Sequence, residues 1–291
     1  TGDQVTLNML KESVDQIRTH LMFDDHLAAG VNDYRNNPSK ALPYYEPWSA
    51  GLLETFIEMR DHFPDMYEMS LKILKRMASD DYFEKYSVFP YRRYHHVTHN
   101  LFQKHVLSFF PPMRRHSVPP RQGPGLKAFL DNVRFFFING YYSHLMKSNS
   151  TPAFTLLEAY EATGDDFWKE KLIIWLNGIE AHFLDTEGRV YNEFIPRTNT
   201  KRDASIVPAF ILIDLICDAS VTIPELRSYL PLAKKIADYY WKTRLPSGLI
   251  PVVDGEKIAH IDHQVDFGVS LRRLWELTSD SSFFSKSQNL T

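Results

Sequence analysis

The strongest constraint on this chain is a spacing. Apolar residues recur every three or four positions through most of its length, in blocks separated by short polar turns. That period gathers side chains on one side of an α-helix and does not suit a strand. From Val5 to Met22 the stripe runs Val5, Leu7, Leu10, Val14, Ile17 and Leu21; from Trp48 it runs Leu52, Leu53, Phe56, Ile57 and Met59. Pro64 opens the next block, through Met66, Met69, Leu71, Ile73, Leu74 and Met77. Proline suits a first turn, where its missing N–H is not needed.

The unit then returns. Thr151-Pro152 leads into Phe154, Leu156, Leu157 and Tyr160, and Thr163-Gly164-Asp165-Asp166 separates it from Phe167, Trp168, Leu172, Ile173, Trp175, Leu176 and Ile179. Gly164 is placed to end one helix in the left-handed conformation and Asp165 or Asp166 to cap the next. Leu52-Leu53-Glu54-Thr55-Phe56 matches Leu156-Leu157-Glu158-Ala159-Tyr160, and Trp275-Glu276-Leu277-Thr278-Ser279-Asp280 matches Tyr160-Glu161-Ala162-Thr163-Gly164-Asp165. A further copy runs from Ala204 through Cys217, turns at Pro224 and returns through Leu230 to Trp241. These are degenerate helical-hairpin repeats. Their irregular spacing and long connections favour an all-α closed toroid of inner and outer helices over an open solenoid with a strict period. Short β-hairpins are expected in two connections. Gly188–Ile195 alternates after a glycine, and Gly248–Val253 precedes the turn pair Asp254-Gly255. No linker divides the chain, so residues 1–291 read as one domain.

Composition narrows the function. A net charge of −3 with acids and bases intermixed gives no basic face for nucleic acid. No apolar run reaches the roughly 18–20 residues of a membrane span, and no secretion signal is visible at Thr1. Cys217 is the only cysteine and sits in an apolar run, which fits a buried inert thiol. The sequons Asn149-Ser150-Thr151 and Asn289-Leu290-Thr291 are short enough to arise by chance. There is no glycine-rich phosphate loop, Rossmann fingerprint or nucleophile elbow, so no cofactor is expected.

Four junctions concentrate chemistry. Around Tyr44-Tyr45-Glu46-Pro47-Trp48, Tyr45 and Trp48 offer flat surfaces for a sugar ring and Glu46 a carboxylate for its hydroxyls. In Tyr91–His99, Arg92, Arg93, His95 and His96 form a cationic-aromatic cluster suited to an acidic saccharide, although a solvated basic loop is the plainer reading. His95 or His96 with His99 has the spacing to share a helix face, but no acidic ligand completes a zinc motif, so no metal is expected. Tyr191 and Glu193 share a face of an extended strand, with Arg197, Arg202 and Asp203 following; Asp203 otherwise reads as a helix cap. Last, His260, Asp262, His263 and Asp266 crowd a helix start. Glu193 and Asp262 are the candidate acid/base pair, and their separation would separate retention from inversion.

The Thr163–Phe167 turn and its flanking helices resemble the six-hairpin (α/α) toroid superfamily, which includes glycoside hydrolases, sugar epimerases and polysaccharide lyases. From Asn149 onward, the order of Tyr191-Asn192-Glu193-Phe194, the apolar helix after Asp203 and the His260–Asp266 stretch is similar to the helical domain of glucuronyl 5-epimerases. The resemblance implies a saccharide substrate and nominates Tyr191, Glu193 and His263. Glycoside hydrolysis leads by the make-up of the superfamily. Proton abstraction from a uronic acid by Tyr or His comes second, and a non-catalytic helical scaffold third. Sequence sets neither oligomeric state nor compartment.

Overall fold

The computed structural model describes residues 2–20, 22–23, 26–27, 44–45, 50–90, 93–94, 143–196 and 199–290. After helix α1 (Gly2–His20), eight helices pair as four hairpins among the described residues. These are α2 (Ala50–Glu58) with α3 (Pro64–Ala78), α5 (Thr151–Thr163) with α6 (Asp166–Phe183), α7 (Ile206–Thr222) with α8 (Leu230–Lys242), and α9 (Ile261–Thr278) with α10 (Ser281–Gln288). The short α4 (Asp81–Tyr86) follows α3. The first helices of the hairpins form one layer: α2 packs on α5, α5 on α7, and α7 on α9. The second helices lie behind them.

Helix chemistry explains this layering. α7 is apolar on nearly every side, with Ile206, Ala209, Phe210, Leu212, Ile213, Leu215, Ile216 and Cys217 all buried. Such a helix must be covered all round. Here α5, α8, α9 and the 3₁₀ turn Pro224–Tyr229 cover it. By contrast α3 and α8 bury one stripe only: Met66, Ile73, Leu74 and Met77 on α3, and Leu232, Ala233, Ile236 and Tyr240 on α8. Pro64 stands in the first turn of α3 as expected.

The repeated turns are chemically alike. Asp80, Asp165 and Asp280 each occupy an N-cap and accept a hydrogen bond from the backbone N–H two residues on, at 2.8, 2.9 and 3.2 Å. Gly164 and Ser279 close α5 and α9 in the left-handed conformation. Substituting such a cap by alanine costs about 1 kcal/mol.

Besides the two-residue pairs β1 (Met22–Phe23) with β2 (His26–Leu27) and β3 (Tyr44–Tyr45) with β4 (Arg93–Tyr94), a three-stranded antiparallel sheet sits where the chain leads into α5 and α7. It consists of β5 (Ser143–His144), β6 (Tyr191–Ile195) and β7 (Thr200–Ala204), with His144 opposite Glu193, Glu193 opposite Arg202 and Tyr191 opposite Ala204. The Gly188–Ile195 expectation is thereby met by a β6–β7 hairpin. At Gly248–Val253 the turn forms but the ladder does not. Only an isolated bridge joins Val253 to Ser205. The side chain of Gln264 satisfies Ile250 instead, accepting from its N–H at 2.8 Å and donating to its C=O at 2.9 Å. Pro251 has no N–H to donate to a ladder at this point.

Asn149 plays the same part for Phe89. Its Oδ1 accepts from Phe89 N at 2.7 Å and from Trp175 Nε1 at 3.1 Å, while Nδ2 donates to Phe89 O at 3.1 Å. Asn149 is fully buried, so the first sequon is inaccessible to a glycan in the folded chain. Cys217 is buried too, and burial pushes its thiol up to about 12, as expected of an inert cysteine.

Among the described glycines the least room is at Gly178 of α6, where an added Cβ would lie 2.3 Å from Ser87 O and 2.7 Å from Ser87 Cβ. The contact is with backbone, which cannot rotate away. Gly178→Ala should therefore destabilise the chain by about 3 kcal/mol, the upper end for overpacking. A thermal melt within a degree of the unsubstituted chain would contradict this packing of α6 on Ser87.

Candidate active site

Helices α5, α7 and α9 enclose a cleft of about 500 Å³ toward their C-terminal ends. Glu158, Glu161, Asp218 and Glu276 line it with Arg273, over an apolar floor that includes Leu157, Cys217 and Leu277. The repeats place these groups. Glu158 and Glu54 hold the same position in two repeats, and Glu161 and Glu276 in two. In the register that aligns Glu276 with Glu161, Arg273 takes the place of Glu158. Its Nη1 lies 3.4 Å from Asp214 Oδ1, at ion-pair distance without hydrogen-bond geometry, and its Nη2 bonds Asp218. The Thr222 hydroxyl donates to Glu161.

Like charge accumulates on these helices. Burial holds the Glu54 carboxyl above its usual range, and Glu158 and Glu58 push it further up. Burial likewise raises Glu158, helped by Glu161 and Glu58 and opposed by Arg60. Asp214 is raised by burial against the pull of a hydrogen bond from Ser270 and of Arg273. The folded chain thus holds these protons more tightly than the unfolded one. A carboxyl whose pKa is raised beside further carboxyl groups is the arrangement that general acid–base chemistry on a glycosidic bond needs.

The residues singled out from sequence lie mostly at the other end of the same helices. Glu193 is buried, 3% exposed, at the centre of the sheet, with His144 and Arg202 as its neighbours across the strands. Asn192 Nδ2 lies 3.2 Å from His144 Nε2. The Tyr191 hydroxyl donates to Asp185 at 3.4 Å. Arg202 is half-buried. Asp203 does not cap α7. It is an exposed β7 residue at φ 54°, and Ser205 takes the N-cap position in extended conformation. The extra extended residues of β7 move the helix start to Ile206, beyond the reach of Asp203.

His260, Asp262, His263 and Asp266 do gather at the start of α9. The His260 and His263 rings stack at 5.3 Å, and His263 Nε2 is 3.9 Å from Asp262. One donor atom from each of His260, Asp262 and His263 falls within 4.8 Å of the others, close enough to share a cation, which the spacing alone did not suggest. Asp262 is 71% exposed and stands in water. No hydrogen bond or ion pair joins it to Glu193 among the described residues. The backbones of Tyr45 and Arg93 pair across the two-residue strands β3 (Tyr44–Tyr45) and β4 (Arg93–Tyr94). Glu46, Trp48, Arg92, His95, His96 and Arg197 lie outside the described residues.

The raised carboxyls have a consequence for stability. From about pH 4 upward the folded chain binds more protons at Glu54, Glu158 and Asp214 than the unfolded chain, so their contribution to stability falls as pH rises. Glu54→Gln should raise the melting temperature at pH 7 and change it little near pH 4, where the unsubstituted carboxyl is protonated in both states. Equal effects at both pH values would contradict the burial of that charge.

No family model and no curated protein matches the chain. Solved structures do. A family 76 glycoside hydrolase (mannosidase) from Bacteroides thetaiotaomicron VPI-5482 superposes with a TM-score of 0.54 at 11% identity, covering 95% of this chain and 68% of its own. A sugar epimerase from a ruminal bacterium gives 0.53 at 11% identity, covering 86% of this chain and 59% of its own. The chain therefore spans about two thirds of the mannosidase and less of the epimerase. Among the described residues no helix is long and apolar enough to cross a membrane. The layered helical hairpins of this chain share the fold of the mannosidase and the epimerase.

Proposed function

We propose that this chain is a carbohydrate-active enzyme of the glycoside-hydrolase kind, acting on an oligo- or polysaccharide by carboxylate acid–base chemistry in the cleft between α5, α7 and α9. The observation that carries the reading is Glu158, a half-buried carboxyl with a raised pKa, opening on a cleft that also holds Glu161, Asp218 and Glu276. In this reading Glu158 supplies the proton to the leaving oxygen. A neighbouring carboxyl group, Glu161 or Asp218, serves as base or nucleophile. The mannosidase and the epimerase that share the fold support a saccharide as substrate class.

A second reading places uronyl epimerase or lyase chemistry at the sheet. It rests on Glu193, buried between His144 and Arg202, where a carboxylate and an imidazole could exchange a proton and the guanidinium could hold a uronate. Tyr191 is less suited to the base role because its hydroxyl already donates to Asp185. A purely structural scaffold fits the charged cleft least, since half-buried like charges cost stability without serving a packing purpose.

Incubation with neutral and uronate-containing oligosaccharides in heavy water, followed by mass spectrometry and NMR, tests both readings. New reducing ends are expected, reduced roughly 10²–10⁴-fold by Glu158→Gln. Deuterium entering carbon five without cleavage, abolished by Glu193→Gln and not by Glu158→Gln, would move the chemistry to the sheet. No turnover and no saccharide binding across the panel would refute the enzyme reading.

A further inference from the structure

Helix α9 opens on residues that helix formation does not ask for. Its N-cap is His260, whose side chain makes no cap hydrogen bond, whereas Asp280 caps the helix that follows. Asp262 and His263 stand in the first turn. Ser, Thr, Asp and Asn are the residues that satisfy an N-cap, so capping gives no reason for an imidazole there or for a second one three residues on.

The three side chains converge. One donor atom from each of His260, Asp262 and His263 lies within 4.8 Å of the others. Ligand atoms around a zinc ion, each roughly 2.0–2.2 Å from it, sit about 3–3.5 Å apart. His260 and Asp262 are exposed and close that gap by small side-chain rotations. His263 is the held member, 22% exposed, with its ring 6.3 Å from that of Phe210 on α7. The backbone beneath is fixed as well. Gln264, 1% exposed, donates from Nε2 to His260 O at 3.2 Å and to Ile250 O at 2.9 Å. One held ligand and two adjustable ones on a fixed backbone make a preorganised set.

A second observation concerns the held ring. His263 Nδ1 is buried and has no hydrogen-bond partner among the described residues. Native folds keep few such atoms, and an ion at the ring is one reason to keep one. The positive end of the helix dipole opposes a cation by about 0.3–1 kcal/mol. The carboxyl groups of Asp262 and, one turn on, of exposed Asp266 work against that effect.

We infer that His260, Asp262 and His263 bind a divalent transition-metal ion at the start of α9. Two imidazole nitrogens and one carboxylate oxygen suit zinc and its first-row neighbours, whereas calcium and magnesium prefer oxygen donors throughout. The ion ties the connection that ends at His260 to the first turn of the helix. Three protein ligands leave a coordination position for water. The cleft residue Arg273 lies ten residues beyond His263, about 15 Å along the helix, so the inference does not depend on the chemistry of the cleft.

Calorimetric titration of zinc chloride into the chelator-treated protein tests it, with the visible spectrum of added cobalt as a second readout. One equivalent of zinc should bind, cobalt should show the bands of nitrogen and oxygen ligation, and calcium and magnesium should give no heat. His260→Gln and Asp262→Asn, both at exposed positions, should each weaken zinc binding roughly tenfold or more. Each should also shrink the rise in melting temperature that zinc gives the unsubstituted chain, while melts without zinc stay unchanged. His95→Gln combined with His99→Gln should leave zinc affinity as it was. Absence of zinc binding would overturn the inference. So would binding that ignores both His260→Gln and Asp262→Asn, or that falls with the His95 and His99 variants instead.

Discussion

A largely apolar helix in the middle of the layer is the constraint from which the rest of the structure follows. Ile206–Thr222 buries most of its circumference, leaving the side with Asp218, Val221 and Thr222 to the cleft, and no single neighbour can cover it. Each fully buried large aliphatic side chain contributes roughly 1.5–3 kcal/mol, so losing any one of the surrounding elements would be costly. The helices on either side fix the layer, and the returning helix α8 closes its back. The strand that precedes it fixes the sheet. The two buried amides, Asn149 and Gln264, serve the same end by satisfying the backbone of Phe89 and Ile250 where the chain packs against this core without secondary structure. A buried backbone group left unpaired there would cost about 1–3 kcal/mol.

The cleft is a by-product of repetition turned to use. When hairpins with the same pattern stack, equivalent positions of successive helices come into line. In this chain the aligned positions carry Glu54 and Glu158, and then Glu161 and Glu276; of these Glu158, Glu161 and Glu276 line the cleft, with Asp218 reaching in from the central helix. Stability alone would favour neutral residues there. Arg273 relieves part of the repulsion by engaging Asp214 and Asp218, and leaves Glu158 and Glu161 without a comparable cation in the cleft lining. Carboxylates kept in a costly arrangement are what a site for proton transfer looks like when the rest of the fold is locally consistent.

Much of this was legible in the sequence. The helices from Pro64, Thr151 and Leu230, the turn at Gly164 and the caps at Asp165 follow from apolar period and turn chemistry, which act over a few residues. The β6–β7 hairpin was visible from alternation after Gly188. The sheet's third strand, Ser143–His144, was not, because two residues carry no period and pair only through tertiary contact. The failed ladder at Gly248–Val253 has the same origin: Gln264, fourteen residues after Ile250, replaces a strand. The cleft was half visible. The repeats containing Glu54 and Glu158 were plain, but a carboxylate beside leucines reads as the solvated edge of a stripe until the neighbouring helix brings another carboxylate to it. Conversely, the dense cluster at His260–Asp266 did form on one helix, yet largely in water.

The account turns on whether the aligned carboxyls of the repeats hold protons more tightly than free ones. A carbon-13 NMR titration of the side-chain carboxyls, assigned through Glu54→Gln and Glu158→Gln, measures this directly. Glu54 and Glu158 should titrate above the ordinary carboxylate range, and each should move down when the other is neutralised. Ordinary, independent titration of both would contradict the acidic cleft and with it the case for Glu158 as the proton donor.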